Sequence, residues 1–344
     1  MEINEYLNLR DNLLYDFSND GSSKEYSDID NIYEKFFVYM AVKADNIKED
    51  GILKNAKEFS ECCKKIYKVK DPDSNSVLLQ EIYKKLYGSE DYLKYCINYS
   101  KYCITGDTMN SVNTTLNMTS FDKIGEVIEK KEEREKRTTN FSKKYRLGMY
   151  ACYKEQNKKE QNKLNEFLSR FDNIKGLKEF ISLYHTIGNF IPFPCDCNTK
   201  RGRGKTQDYW DLTLLCIYIY YEEKKEDYIE TIVGNEKKNY FIEWLNGFGS
   251  WDNFVEKNYL QDFVNENPKY VSHDECQKYG LPKELWKDHF DNFDGKFDGK
   301  KVALPTNKEQ IEQFCNNASA WILARGQRMI NELRIKMHET AKTF

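Results

Sequence analysis

Helix breakers are scarce: 17 glycines and 6 prolines punctuate 344 residues. These two residue types are what end helices. A chain so poor in both, and rich in Leu, Lys and Glu, favours long helical runs. The expected fold is all-α: a main multi-helix domain over 105–344 with an added N-terminal helical region over 1–104. The length suits one large domain or two ordinary ones. Apolar residues make up 40% of the chain, with 25 Tyr and 20 Phe, enough for a sizeable core.

Periodicity places the helices. In "SDIDNIYEKFFVYMAVKA", Ile32, Phe36, Tyr39 and Val42 recur near helical spacing, with Ser27 and Asp28 as cap candidates. "SNSVLLQEIYKKLYG" repeats the pattern and stops at Gly88, a residue suited to the left-handed position after a helix. "EDYLKYCINYSKYCI" continues the helical run. "TGDTMNSVNTTLNMTS" breaks it with Asn, Thr and Ser, which favour turns and caps. The mixed-charge stretch 121–163 reads as a solvated helix or an insertion. Further on, Leu177, Ile181 and Tyr184 share a helical face, and "IPFP" then forces extended chain. "LLCIYIYY" belongs to a helix from about Asp208 to Glu223, with further helices at 236–247, 250–264 and 283–290. Thr306 and Glu309 form a capping-box pattern for the last helix. Its stripe runs Ile311, Phe314, Ala318, Trp321 and then Arg325.

Acidic and basic residues nearly cancel, to a net charge of −3, which argues against a chain that coats nucleic acid by bulk charge. Any anion site must be local. No stretch reaches the roughly 18 apolar residues of a membrane span. Ten scattered cysteines and the acidic first helix, unlike a leader peptide, point to a reducing cytoplasm and free thiols. Cys195-x-Cys197 after His185 lacks the spacing and the second pair that zinc needs. Neither a metal nor a cofactor is expected.

The chemistry-bearing candidates are few. "KRGRGK" places Lys200, Arg201, Arg203 and Lys205 among glycines just before a helix start, where backbone N–H groups and guanidinium forks can hold phosphate. It does not match the phosphate-loop pattern. His185, one turn beyond Ile181, is the candidate acid/base. Arg325 lies on an apolar stripe and must be paired, either with a carboxylate or with a bound anion, because an unpaired buried charge is costly. Arg328, one turn on, could join it. Asp211 serves the helix dipole, pairs Arg325 or fixes the tautomer of His185. Asp107 and Asn110 cap their own turn or line a polar pocket. "RIKMH", with Arg334 and His338, is a near miss for an Arg/His ribonuclease spacing.

Five strings, "GDTMNS", "LYHTIGNFIPFP", "DYWDLTL", "SWDNFVEKNYLQDFV" and "ASAWILARGQRMI", cover most of the chain after Gly106. On them the chain resembles a family of uncharacterised bacterial proteins. The resemblance implies a shared domain and carries no activity with it.

Two functions of different class follow. In the first, the protein binds a phosphate-bearing ligand, RNA or a nucleotide. His185, Asp211 and Arg325 act on it and Arg201, Arg203, Lys205, Asp107, Asn110 and Arg328 hold it; metal-independent phosphodiester cleavage is the favoured form. In the second, it is a helical interaction module or regulator in stress or phage defence, with Trp251, Phe254 and Tyr259 contacting a protein partner.

Overall fold

The computed structural model describes residues 1–44, 47, 52–88, 139–194, 197, 209–270, 276–293, 305 and 307–342. It also describes the backbone of short strands at 97–98, 103–104, 106–108, 120–121 and 127–128. The protein is all-α with small two-stranded additions.

In chain order the helices begin with α1 (Ile3–Leu7), α2 (Lys24–Ser27), α3 (Ile32–Lys43), α4 (Ile52–Ile66), α5 (Pro72–Asn75) and α6 (Val77–Tyr87). Short strands β1 (Ile97–Asn98), β2 (Cys103–Ile104), β3 (Gly106–Thr108), β4 (Ser120–Phe121) and β5 (Val127–Ile128) follow. Next come α7 (Thr139–Asn157), α8 (Gln161–Ser169), α9 (Leu177–Ser182) and strand β6 (Phe190–Pro192). A helical block continues with α10 (Trp210–Glu223), α11 (Glu226–Val233), α12 (Asn235–Asn246) and α13 (Trp251–Lys257). The hairpin β7 (Val264–Tyr270) and β8 (Cys276–Pro282) and the 35-residue α14 (Lys308–Lys342) complete the chain. Among the described residues no helix is long and apolar enough to cross a membrane.

Three apolar clusters form the interior. In the first, Phe37 of α3 stacks on Tyr150 of α7 with ring centroids 4.6 Å apart, both pack with Phe167, and Phe37 also meets Phe171. The same cluster continues through Phe180 and Trp286 to Phe314. Residues from both sides of position 105 therefore share one core, and the charged 121–163 stretch contributes the fully buried Leu147 and Tyr150 to it. The second cluster joins α10 to α13 around Trp210, Trp244 and Phe254. The third joins the N-terminal segment, α6 and the end of α14 through Tyr6, Phe17, Ile82 and Met329. At 1.5 Å per residue α14 extends about 50 Å, long enough to line the first and third clusters in turn.

Several local expectations are corrected. Helix α3 is capped by Asn31, whose side chain accepts from the backbone N–H of Tyr33 and Glu34, rather than by Ser27 or Asp28. Of the stretch 90–104, expected to be helical, the described residues form the antiparallel pair β1–β2. The 250–264 helix stops at Lys257. Leu260 N–H reaches back to Val255 O, and Tyr259 takes the left-handed position at φ +59°, a Schellman-like ending usually made by glycine. Residues 264–282 then form the hairpin, fastened to α13 by the Asp252 carboxylate, which accepts from the N–H of Lys278 and Tyr279. In place of a 283–290 helix there is a turn followed by a short 3-10 segment, Phe290–Asn292. The C′ glycine of α6 is as expected, with Gly88 at φ +63°. The cap of α14 that can be described is Asn307, which accepts from Gln310 N–H; Thr306 lies outside the described residues.

Candidate functional site

Three of the resemblance strings meet at one junction. Strand β3, from "GDTMNS", pairs antiparallel with β6, from "HTIGNFIPFP", with Asp107 opposite Ile191. The turn before β6 lies against α14 so closely that a Cβ on Gly188 would sit 2.0 Å from Ile322 O. Arg325, from "ARGQRM", is 0% exposed and reaches over this turn. Its Nη1 donates to Gly188 O at 2.9 Å and Phe190 O at 2.6 Å, and its Nε donates to Asn258 O at 2.9 Å. The last carbonyl belongs to the strained end of α13. Arg325 thus ties α14 to two other chain segments through carbonyl dipoles.

Among the described residues no carboxylate pairs with Arg325; its close partners are backbone oxygens, with Tyr87 Oη at 3.4 Å. Charge-assisted bonds of this kind are roughly twice as strong as neutral ones. Arg328 does not join it. One turn on, it pairs with Asp262 at 2.7 Å on the surface.

His185 sits just past the end of α9 and is 6% exposed. Its ring lies parallel to Phe190, 6.2 Å away, and edge-on to Tyr39 and Tyr184. Its Nδ1 faces Asp16 at 3.5 Å. Asp16 also takes Lys35 Nζ at 3.0 Å and the Ser18 backbone N–H at 2.9 Å. Burial raises the Asp16 pKa, but contact with His185, Lys35 and Ser18 outweighs it and holds the carboxyl below the usual carboxylate range. His185 therefore belongs to a buried polar knot that ties the N-terminal segment to the core, and its carboxylate partner is Asp16, not Asp211.

Asp211 holds a different histidine. It is the second residue of α10, after Trp210, and its side chain turns inward at 2% exposure. Oδ2 accepts from the Leu285 N–H at 2.9 Å and from His289 Nδ1 at 2.5 Å. The expected role of fixing an imidazole tautomer is thus present, directed to His289. The His289 ring stacks on Trp286 with centroids 3.5 Å apart and meets Tyr209 edge-on at 5.2 Å. It is 0% exposed, and its outer nitrogen, Nε2, has no hydrogen-bond partner among the described residues. A buried polar atom left unpaired costs about 1–3 kcal/mol.

His185 and Arg325 are therefore brought to one turn, each separately satisfied, while Asp211 is held elsewhere. Tyr209, Trp286 and Phe314 pack together in the first cluster, and residues 314 and 325 are separated by about 16 Å of helix. Arg201, Arg203, Lys205 and Asn110 lie outside the described residues, as does the side chain of Asp107. The basic segment nonetheless has fixed borders, because Cys197 and Tyr209 are both 0% exposed. Tyr209, on its C-terminal side, is one of the rings against His289.

Reading the sequence missed His289, Asp16 and Lys35. His289 stood in a stretch expected to be helical, and its one usable signal was an imidazole three residues after a tryptophan. Asp16 and Lys35 come from a region with no motif. Trp251 and Phe254, expected on the surface, are 2% and 0% exposed, and Trp251 Nε1 donates to Gly280 O. Among the described residues no cluster of His, Cys, Asp and Glu is arranged to hold a metal ion.

No curated protein and no solved structure matches the chain. The sequence model of a family of unknown function, DUF6994, matches residues 54–329, so that it begins within α4, upstream of the motifs at Gly106, and ends inside α14. With four-fifths of its length covered, the chain belongs to that family.

Proposed function

We propose that Asp211 and His289 form the acid/base centre of an enzyme acting on a phosphate-bearing substrate, RNA or a nucleotide, held by Arg201, Arg203 and Lys205. The observation that carries this is the His289 Nε2, without a hydrogen-bond partner among the described residues, beside an Nδ1 bonded to Asp211. A carboxylate on Nδ1 keeps the proton there and leaves the Nε2 lone pair outward. It also stabilises the imidazolium that forms when Nε2 takes a proton. The basic run ends at Lys205, four positions before Tyr209, whose ring meets His289.

In phosphodiester cleavage Nε2 would accept the proton of the attacking hydroxyl and return it to the leaving oxygen. Guanidinium groups would stabilise the charge gathering on the phosphoryl oxygens. This assignment moves the acid/base role from His185 to His289. The interaction-module alternative loses support, because two of its three contact aromatics are interior.

The test is turnover of labelled RNA and a nucleotide panel by the wild type, His289→Ala, Asp211→Asn and His185→Ala. Loss of about 100-fold or more in His289→Ala, with His185→Ala still folded and active, is expected. Because His289 is enclosed, substrate must open its cover, so nucleotide should also change the rate at which diethyl pyrocarbonate modifies it. Turnover by His289→Ala equal to the wild type, or no turnover on any substrate of the panel, would remove the assignment.

A further inference from the structure

A second concave feature lies away from His289, where the N-terminal segment crosses α9 and α14. It is an open cleft of about 580 Å³, within the size range of small-molecule sites. Four charged side chains line it: Arg10 and Asp11 from the segment after α1, Glu179 from α9 and Arg334 from α14. Leu13 and Leu323 supply an apolar floor. Among the described residues none of these four charged side chains makes an ion pair. Two guanidinium groups and two carboxylates thus face one cleft and leave each other unneutralised.

We propose that this cleft binds a small zwitterion of the amino-acid type. Its carboxylate would lie on Arg10 and Arg334, its ammonium on Asp11 and Glu179, and its aliphatic body on Leu13 and Leu323. Guanidinium forks match a carboxylate through paired N–H donors. Balanced lining charge disfavours a ligand that carries one sign alone, since the like-signed pair would repel it. The site also gives the N-terminal segment a role separate from packing, because Arg10 and Asp11 precede the residues matched by the family.

The experiment is calorimetric titration of the full chain with three probes of one shape: L-leucine, isovalerate and isopentylamine. Leucine is expected to bind, with the anion and the amine each weaker by about tenfold or more, about 1.4 kcal/mol. Arg10→Gln with Arg334→Gln should abolish leucine binding and leave circular dichroism unchanged. Asp11→Asn with Glu179→Gln should erase the preference for leucine over isovalerate. Isovalerate binding as tightly as leucine to the wild type would overturn the proposal, leaving an anion site only. So would unchanged leucine affinity in the arginine double variant, or no leucine binding at about 10 mM. RNA turnover does not enter any of these readouts, so either proposal can fail alone.

Discussion

Replacing Arg325 by methionine keeps the length and most of the volume of the side chain and deletes the donors. Three carbonyls, of Asn258, Gly188 and Phe190, lose partners at 2.6–2.9 Å in a fully buried place. An orphaned buried acceptor costs about 1–3 kcal/mol, so the three together lose several kcal/mol. Part of that is returned, because a buried guanidinium no longer has to be desolvated. The expected net destabilisation is about 3 kcal/mol. The matched control is one turn away on the same helix. Arg328 is 47% exposed in its side chain and pairs with Asp262 in solvent, so Arg328→Met should cost less than about 1 kcal/mol. Urea denaturation followed by tryptophan fluorescence reads both, provided the slope against urea is unchanged between variants. If the two variants have the same midpoint, the carbonyl clamp is not what holds the β6 turn to α14 and α13.

Three further outcomes are expected. Gly188→Ala should be severe, above about 3 kcal/mol, because its Cβ meets Ile322 O at 2.0 Å and Gly326 N at 2.9 Å, both backbone. Gly326→Ala should be mild by comparison, because its nearest obstacle is the movable end of Leu13 at 2.7 Å; thermal melts of the pair with equal losses would contradict this. The Asp16 carboxyl is held below its usual range by His185 and Lys35 against the effect of burial. Its ionised form therefore adds stability above the unfolded carboxylate value, near 3.9, and that stability is lost as pH falls below it. The stability gap between wild type and Asp16→Asn should therefore shrink as pH falls below about 4, and a gap that does not change there would refute the sign. Cys63 is 1% exposed and burial pushes its thiol up to about 12, whereas its neighbour Cys62 is exposed. Iodoacetamide followed by peptide mass spectrometry should label Cys62 well before Cys63, and equal rates would mean that α4 opens.

What could be read from the chain follows the reach of each interaction. Local terms placed α6, α10 and α14, because helical spacing of apolar residues and a left-handed glycine act within a turn or two. The same terms placed Arg325 on a buried stripe, which its 0% exposure bears out. They did not reveal the β7–β8 hairpin. Its first strand, "VNENPKY", has little alternation, and its second, β8, is held by Asp252 and Trp251 from a different element.

The sequence by itself determined the all-α class, the buried position of Arg325 and the acidic start of α10. Only the tertiary structure decided the partners: Asp211 with His289 across 78 positions, His185 with Asp16 across 169, and Arg325 with three carbonyls from two distant segments. The physical reason is that a buried charge must find compensation wherever packing brings a complementary group. Periodicity states that the compensation is needed but not which distant atom supplies it.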